Sequence, residues 1–350
     1  MNQRQETSLT VTRKAIFWKP CRRMTAMLWS LLFVIQFFII GIFIYQGSFK
    51  NYVYVQLSKY QKVNEEHFDS TLENCLIRDT SEPAPKPKCP VISPYLIGYR
   101  KPVMDDEIHL VETLQKYRYA QCGGQFRPSN CEARQKAALL VPFRDRQEHL
   151  KIFINHMHPF LMRQQLEYKI YIIDLDKEIR FNRGVLLNVG FLEASKEADF
   201  DCYFLHDVDL LPEHDHNLYR CSELPRHMSV AVDKFNYRLP YLTNFGGVSA
   251  MTKDQILFVN GFSNKFSGWG GEDDDLYNRL IFHNMTVLRS MPDVSRYIML
   301  KHDQSPPNAE RFKLLRTGME RVMQDGIKNL KYKISNRTDY LLFTYINISF

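Results

Sequence analysis

Residues 202–212 read Cys202-Tyr203-Phe204-Leu205-His206-Asp207-Val208-Asp209-Leu210-Leu211-Pro212. An apolar run passes directly into two carboxylates at i and i+2, the pattern of a buried strand that ends at a polar rim. Both acids project from that end, where they either hold a hard divalent cation or close a polar turn. Working outward, residues 137–142 (AALLVP), 168–174 (YKIYIID) and 228–232 (MSVAV) read as further buried strands. Residues 147–161 and 183–195 carry apolar side chains at helical spacing. This alternation predicts an α/β domain with a mostly parallel central sheet, whose ligands collect at the carboxyl ends of the strands.

A second constellation, Gly268-Trp269-Gly270-Gly271-Glu272-Asp273-Asp274-Asp275, precedes the helical pattern of residues 276–281. Four consecutive acids repel one another and are best tolerated at a helix N-terminus, where the macrodipole is positive. The glycines before them allow close backbone approach, and the indole offers a flat face for a sugar ring. A carboxylate beside such a platform can act as general base on a sugar hydroxyl. Met299 and His302 end an apolar, strand-like segment at residues 297–302, and their spacing alone assigns them nothing.

The formal charge of +7 is concentrated before residue 24: Arg4, Arg13, Lys14, Lys19, Arg22 and Arg23 stand against Glu6. The rest of the chain is nearly neutral, which leaves nucleic-acid binding without support. Residues 27–45 (MLWSLLFVIQFFIIGIFIY) are almost wholly apolar and long enough to cross a bilayer core of ~30 Å. A cleaved signal peptide would have a shorter apolar region and small residues at its end. The positive flank makes this a type II signal anchor, with a cytosolic tail (1–23), a transmembrane span (24–46), a Pro-rich luminal stem (47–88) and a catalytic body (89–350). Cys75, Cys89, Cys122, Cys131, Cys202 and Cys221 all fall on the luminal side, where up to three bridges can form, in any of 15 pairings. Three sequons, at Asn284, Asn336 and Asn347, fall there too and permit glycosylation.

The segments 142–150 (PFRDRQEHL), Phe181-Asn182-Arg183, Asp207-Val208-Asp209, Phe245-Gly246-Gly247-Val248-Ser249 and 268–275 occur in one order across roughly residues 89–345. In that order they resemble the β-1,4-galactosyltransferase family of Golgi glycosyltransferases. The resemblance implies a GT-A fold: a single Rossmann-like α/β domain that binds a UDP-sugar with Mn²⁺ and transfers with inversion. It implies a nucleotide-sugar site of Pro142, Phe143, Arg144, Arg146, Phe181, Arg183, Asp207, Val208, Asn244, Gly247 and Trp269. There Phe143 would pack on uracil and the arginines would lie near ribose and diphosphate. Asp209, Met299 and His302 are the implied metal ligands, although a thioether is a poor partner for a hard ion. Asp273 is the implied general base on the acceptor 4-hydroxyl, with Glu272 and Asp274 orienting donor and acceptor.

The implied acceptor side comprises Tyr241, Trp269, Gly271, Asp273 and Asp274, with Arg311, Phe312 and Leu315 around the N-acetyl group of a terminal GlcNAc. Cys89–Cys131 and Cys202–Cys221 match the family's bridges, leaving Cys75 and Cys122 as a third pair. The implied residence is the Golgi membrane, with the anchor or stem offering a route to homodimerisation.

Two positions depart from the family. Asn244-Phe245-Gly246-Gly247 stands where galactose-transferring members carry Tyr-Phe-Gly-Gly, and Ser267 stands where the family often has a second Trp. The smaller side chain at 244 leaves room beside the donor C2, so a transferase that accepts UDP-GalNAc at least as well as UDP-Gal is expected. A strict UDP-Gal enzyme is the alternative. Two other classes compete: a catalytically inactive, membrane-anchored lectin-like binder, and a two-carboxylate hydrolase that needs neither nucleotide nor metal. The presence of a candidate base together with three candidate metal ligands favours the transferase.

Overall fold

In the computed structural model, which describes residues 86–104, 122–303 and 306–350, the chain passes through a short strand, β1 (Gln125–Phe126), into the long β2 (Lys136–Phe143). Residues 137–143 of β2 are buried throughout, and the two-residue period of a strand divides them between two cores. Leu139, Val141 and Phe143 join Phe153, Met157 and Phe160 of helix α1 (Gln147–Arg163). Ala138 and Leu140 join Val185, Leu186 and Val189 of helix α2 (Arg183–Glu197). Apart from Ala138, each such side chain contributes roughly 1.5–3 kcal/mol when fully buried. The Asn182 side chain caps α2 by accepting the Val185 N–H at 3.0 Å, which fixes where Arg183 begins the helix.

The remaining strands are β3 (Glu167–Leu175), β4 (Cys202–His206), β5 (Leu210–Pro212), β6 (Arg226–His227), β7 (Ala231–Val232), β8 (Val248–Met251), β9 (Leu288–Arg289), β10 (Arg296–Met299), β11 (Lys333–Asp339) and β12 (Thr344–Ser349). Shorter helices are α3 (Lys253–Phe258), α4 (Glu272–Phe282), α5 (Arg311–Arg316) and α6 (Gly318–Arg321). The main sheet runs β11-β12-β3-β2-β4-β8-β6-β9, with β1 antiparallel on β3; a small second sheet runs β5-β10-β7. At the centre β12, β3, β2 and β4 are mutually parallel, so their carboxyl ends share one edge. Antiparallel β8 pairs His206 with Val248, which brings the preceding Gly246-Gly247 to the same edge. The candidate site is built there.

Two sequence expectations change. Residues 228–232 are buried but do not form one strand: His227 pairs with β8 in the main sheet, whereas Ala231 and Val232 pair with β10 in the small one. An apolar run reports burial and leaves the partner open. The C-terminal hairpin β11–β12, with β12 set beside β3, had no strand prediction, although the buried Ile346 and Ile348 alternate with the half-buried Tyr345 and Asn347 at strand period.

Disulfides join Cys89 to Cys131 and Cys202 to Cys221. Cys122 is also disulfide-bonded. Cys75, the predicted tail and anchor, and stem residues up to 85 lie outside the described residues. Among the described residues no helix is long and apolar enough to cross a membrane.

Candidate active site

The end of β4 sends Asp207 and Asp209 in different directions, with Val208 buried between them as an anchor. Asp207 Oδ1 accepts from Arg183 Nε at 2.6 Å. Arg183 also donates to the Gly247 carbonyl (3.3 Å) and reaches Glu272 Oε1 at 3.8 Å. One buried guanidinium thus ties together α2, the end of β4, the glycine turn and α4. Burial pushes the Asp207 carboxyl up, against the lowering effect of Arg183.

Asp209 Oδ2 accepts from Arg146 Nη1 (3.1 Å) and lies 2.8 Å from His302 Nε2. The small sheet sets this register: Met299 pairs with Leu210, the neighbour of Asp209, and the Leu300 N–H donates to the Asp209 carbonyl at 2.8 Å. Burial raises the Asp209 carboxyl, but the His302 hydrogen bond and the Arg146 charge outweigh it and hold the group low. His302 Nδ1 faces the Asp303 carbonyl at 2.8 Å and Arg146 Nη2 at 3.2 Å, outer contacts that orient the ring so that Nε2 meets Asp209. A carboxylate oxygen and an imidazole nitrogen in contact suit a divalent ion such as Mn²⁺, and the softer thioether of Met299 can only be an auxiliary donor. A separate His/Asp cluster, His214-Asp215-His216, also brings ligand atoms together. Its Asp215 is bonded to the Ile97 and Gly98 N–H groups and to Arg163 Nε, so it serves the structure.

Asp273 lies over the glycine turn so closely that a Cβ on Gly246 would overlap its Oδ2. Gly247 adopts φ +74°, which a side chain would strain. All four acids occupy the first turn of α4, as expected, but they diverge. Asp275 is fully buried and pairs with Arg279 Nε at 2.7 Å, a core role. Asp274 Oδ1 accepts from the Tyr241 hydroxyl (3.0 Å), while its own N–H donates to Asp273 Oδ1 at 3.0 Å.

Glu272 is 8% exposed, and its Oε2 is buried without a hydrogen-bond partner. Burial first, then the charge of Asp273, pushes its pKa from 4.5 up to about 8. The folded chain therefore keeps a proton between about pH 4.5 and 8 that the unfolded chain gives up, so stability falls as pH rises through that window. Glu272→Gln should remove this slope. In metal-free thermal melts the variant is expected to match its parent near pH 5 and exceed it at pH 8.

Beneath the glycine turn is a group of residues for which no sequence motif gave a signal. His227 Nε2 and Ser229 Oγ donate to the Gly246 carbonyl at 3.1 and 3.2 Å. Arg289 Nε donates to His227 Nδ1 (3.3 Å), and its Nη2 donates to the Leu242 and Asn244 carbonyls, both at 2.9 Å. Burial holds His227 down to about 3, so it is neutral and keeps its acceptor nitrogen for Arg289. Asn244 is half-buried on this supported turn, and its N–H donates to the Tyr241 carbonyl at 3.1 Å.

Trp269 is half exposed, and its carbonyl accepts the Asn308 N–H at 2.9 Å. The Arg311 guanidinium lies 5.6 Å from the Trp269 ring and 4.6 Å from the exposed Phe312 ring. Arg311 and Leu315 share one face of α5 at i and i+4. Gly271, at φ +98°, starts α4 beside them.

The implied nucleotide segment differs in part from expectation. Phe143 is 4% exposed within the core beside α1, so its ring has no open face for uracil, and Pro142 before it is buried as well. Arg144 donates to the carbonyls of Ile179 (2.6 Å), Leu175 (2.8 Å) and Asp176 (3.1 Å), clasping a loop and not standing free. Phe181, packed against the edge of the core with the Arg144 guanidinium 5.6 Å from its ring, is half-buried and so less enclosed than Phe143.

Residues 89–222 match the family model described as the N-terminal region of glycosyl transferase group 7, and residues 226–303 match that described as the N-terminal domain of galactosyltransferase. An α/β fold with paired carboxylates at a sheet edge is thereby placed among the glycosyltransferases. Human β-1,4-galactosyltransferase 1 is 43% identical over 278 residues, 77% of this chain and 70% of that protein. β-1,4-Galactosyltransferase 4 of Cricetulus griseus is 43% identical over 283 residues, 79% of this chain and 82% of its own length. The chain belongs to the β-1,4-galactosyltransferase family. The solved catalytic domain of Drosophila β-1,4-galactosyltransferase 7 in complex with xylobiose superposes with a TM-score of 0.54 at 32% identity, covering 61% of this chain and 93% of that one. A mutant of that neighbour was solved with manganese, UDP-Gal and xylobiose.

Proposed function

We propose that this chain is an inverting β-1,4-glycosyltransferase that moves GalNAc or Gal from a UDP-sugar to the 4-hydroxyl of a terminal GlcNAc. One juxtaposition carries the reading: the Asp273 carboxylate over the Gly246-Gly247 turn, on the same sheet edge as the Asp209–His302 pair. Asp273 takes the proton from the acceptor hydroxyl as that oxygen attacks the anomeric carbon. Inversion needs only this base. Protonated Glu272 donates a hydrogen bond to a donor hydroxyl, while Tyr241 and Asp274 orient the acceptor. Trp269 supports the sugars, and Arg311, Phe312 and Leu315 receive the N-acetyl group. Phe181 and Arg146 take the base and diphosphate, with Arg183 and Asp207 fixing the turn next to them. When bound by Asp209, His302 and Met299, Mn²⁺ supplies Lewis-acid neutralisation of the UDP leaving group.

The donor is read from Asn244. A side chain smaller than tyrosine on the turn leaves space for an acetamide, and its own amide can hydrogen-bond that group, worth on the order of 1 kcal/mol. Competition between UDP-GalNAc and UDP-Gal should show the former used at least equally. Asn244→Tyr should shift kcat/KM toward UDP-Gal by about tenfold or more, since filling the acetamide space costs on the order of 1–3 kcal/mol. Turnover of UDP-Gal alone by the parent would overturn the GalNAc reading and leave the transferase reading standing.

The chain is further read as a single-pass type II Golgi membrane protein, anchored through residues 24–46, with residues 89–350 in the lumen and homodimerisation through anchor or stem. The six cysteines and three sequons on one side of the apolar segment support this orientation.

A further inference from the structure

The end of α4 opposite its carboxylates carries an exposed apolar patch that the candidate site does not use. Leu257 and Phe258 close α3, and Ile281 and Phe282 close α4; Phe258 is 58% and Phe282 55% exposed. The His283 ring lies beside both phenylalanines, with centroids 4.6 Å from Phe258 and 5.3 Å from Phe282. The helix then stops in a Schellman turn: the Met285 N–H donates to the Leu280 carbonyl and the Asn284 N–H to the Ile281 carbonyl, both at 2.9 Å. Asn284 takes the left-handed position at φ +56° and is exposed. It also opens the sequon Asn284-Met285-Thr286, with Phe282 two residues before it.

We propose that Asn284 carries an N-linked glycan whose first N-acetylglucosamine lies on the Phe258–His283–Phe282 strip. The proposal rests on the luminal orientation given above. Two residues of chain place Asn284 within about 7 Å of Phe282, Cα to Cα, so the first sugar starts beside the strip. The C–H face of a pyranose is apolar, and stacking it on an aromatic ring removes both from water. In the modification, Asn284 Nδ2 bonds to the anomeric carbon of a polyisoprenoid diphosphate-linked oligosaccharide. The bond from that carbon to the diphosphate breaks, the diphosphate leaves with the electron pair, and the amide proton passes to water. The other sequons lack this setting. Asn347 is half-buried and its Nδ2 donates to Asp176 Oδ1 at 2.8 Å, whereas Asn336 is exposed on β11. Phe282 lies about 15 Å along α4 from Glu272, so the glycan leaves the chemistry alone.

Glycopeptide mass spectrometry of the full chain from a secretory host should find Asn284 occupied. Thr286→Ala and Asn284→Gly both remove this glycan, and glycine keeps the left-handed turn. Both should lower Tm by about 2–4 °C, match enzymatic deglycosylation and leave kcat unchanged. In a Phe282→Ala variant, deglycosylation should no longer change Tm. Asn284 found bare beside an occupied Asn336 overturns the proposal alone. An occupied Asn284 whose removal leaves Tm unchanged overturns the stacking. All three sequons bare overturns the luminal reading itself.

Discussion

Asp273→Asn is expected to lower kcat by about 10²–10⁴-fold, the usual contribution of a positioned base, with the donor KM nearly unchanged. Asparagine has the shape of the native side chain, so it can keep the contact over Gly246 and accept the Asp274 N–H as Asp273 Oδ1 does at 3.0 Å. It cannot take a proton. Steady-state UDP release with a GlcNAc acceptor measures the loss, and an unchanged Tm shows that the fold has survived. Parental turnover in this variant would mean that another group deprotonates the acceptor.

The second large effect concerns the Asp209–His302 pair. EDTA should abolish turnover and added Mn²⁺ should restore it, whereas Asp209→Asn should stay about 10²–10³-fold down at the Mn²⁺ level that saturates the parent, a loss of several kcal/mol. The direct readout is Mn²⁺ affinity, measured by the free-ion signal in electron paramagnetic resonance. An Asp209→Asn chain that binds Mn²⁺ as tightly as the parent would move the metal elsewhere. Full activity in EDTA would instead favour paired-carboxylate chemistry. Because Arg146 and His302 both contact Asp209 Oδ2, the variant keeps an acceptor oxygen but removes the charge they face, and a lower metal-free Tm should accompany the lost affinity.

Local patterns made much of the fold legible in the sequence. The buried strands around 137–142, 168–174 and 202–205 and the helices at 147–161 and 183–195 lie within the observed elements, because each declares itself by period and composition. Partner choice was not legible, and so residues 228–232 were read as one strand when they serve two sheets. At the site, the acidic run marked the start of α4. Nothing in it told that Asp275 turns into the core while Asp273 meets a glycine 27 positions earlier in the chain. The support of the turn by Arg289 and His227 was hidden for the same reason, since its bonds span 19 to 62 residues. Phe143 shows the opposite failure. The motif was recognisable, but the strand period that makes Phe143 conspicuous also turns its ring into the core.

The Cys202–Cys221 bridge closes a loop that contains β5 and both Asp207 and Asp209. A ring of that size removes about 3 kcal/mol worth of disorder from the unfolded chain, and here the restriction falls on the segment that presents the candidate metal carboxylate. Oxidation of one pair of thiols therefore also restrains the segment that carries the candidate metal ligand. A copy made where glutathione keeps those thiols reduced carries Asp207 and Asp209 on a segment without that restraint. Such a copy is expected to melt several degrees below the oxidised chain, which thermal melts with and without reductant would measure.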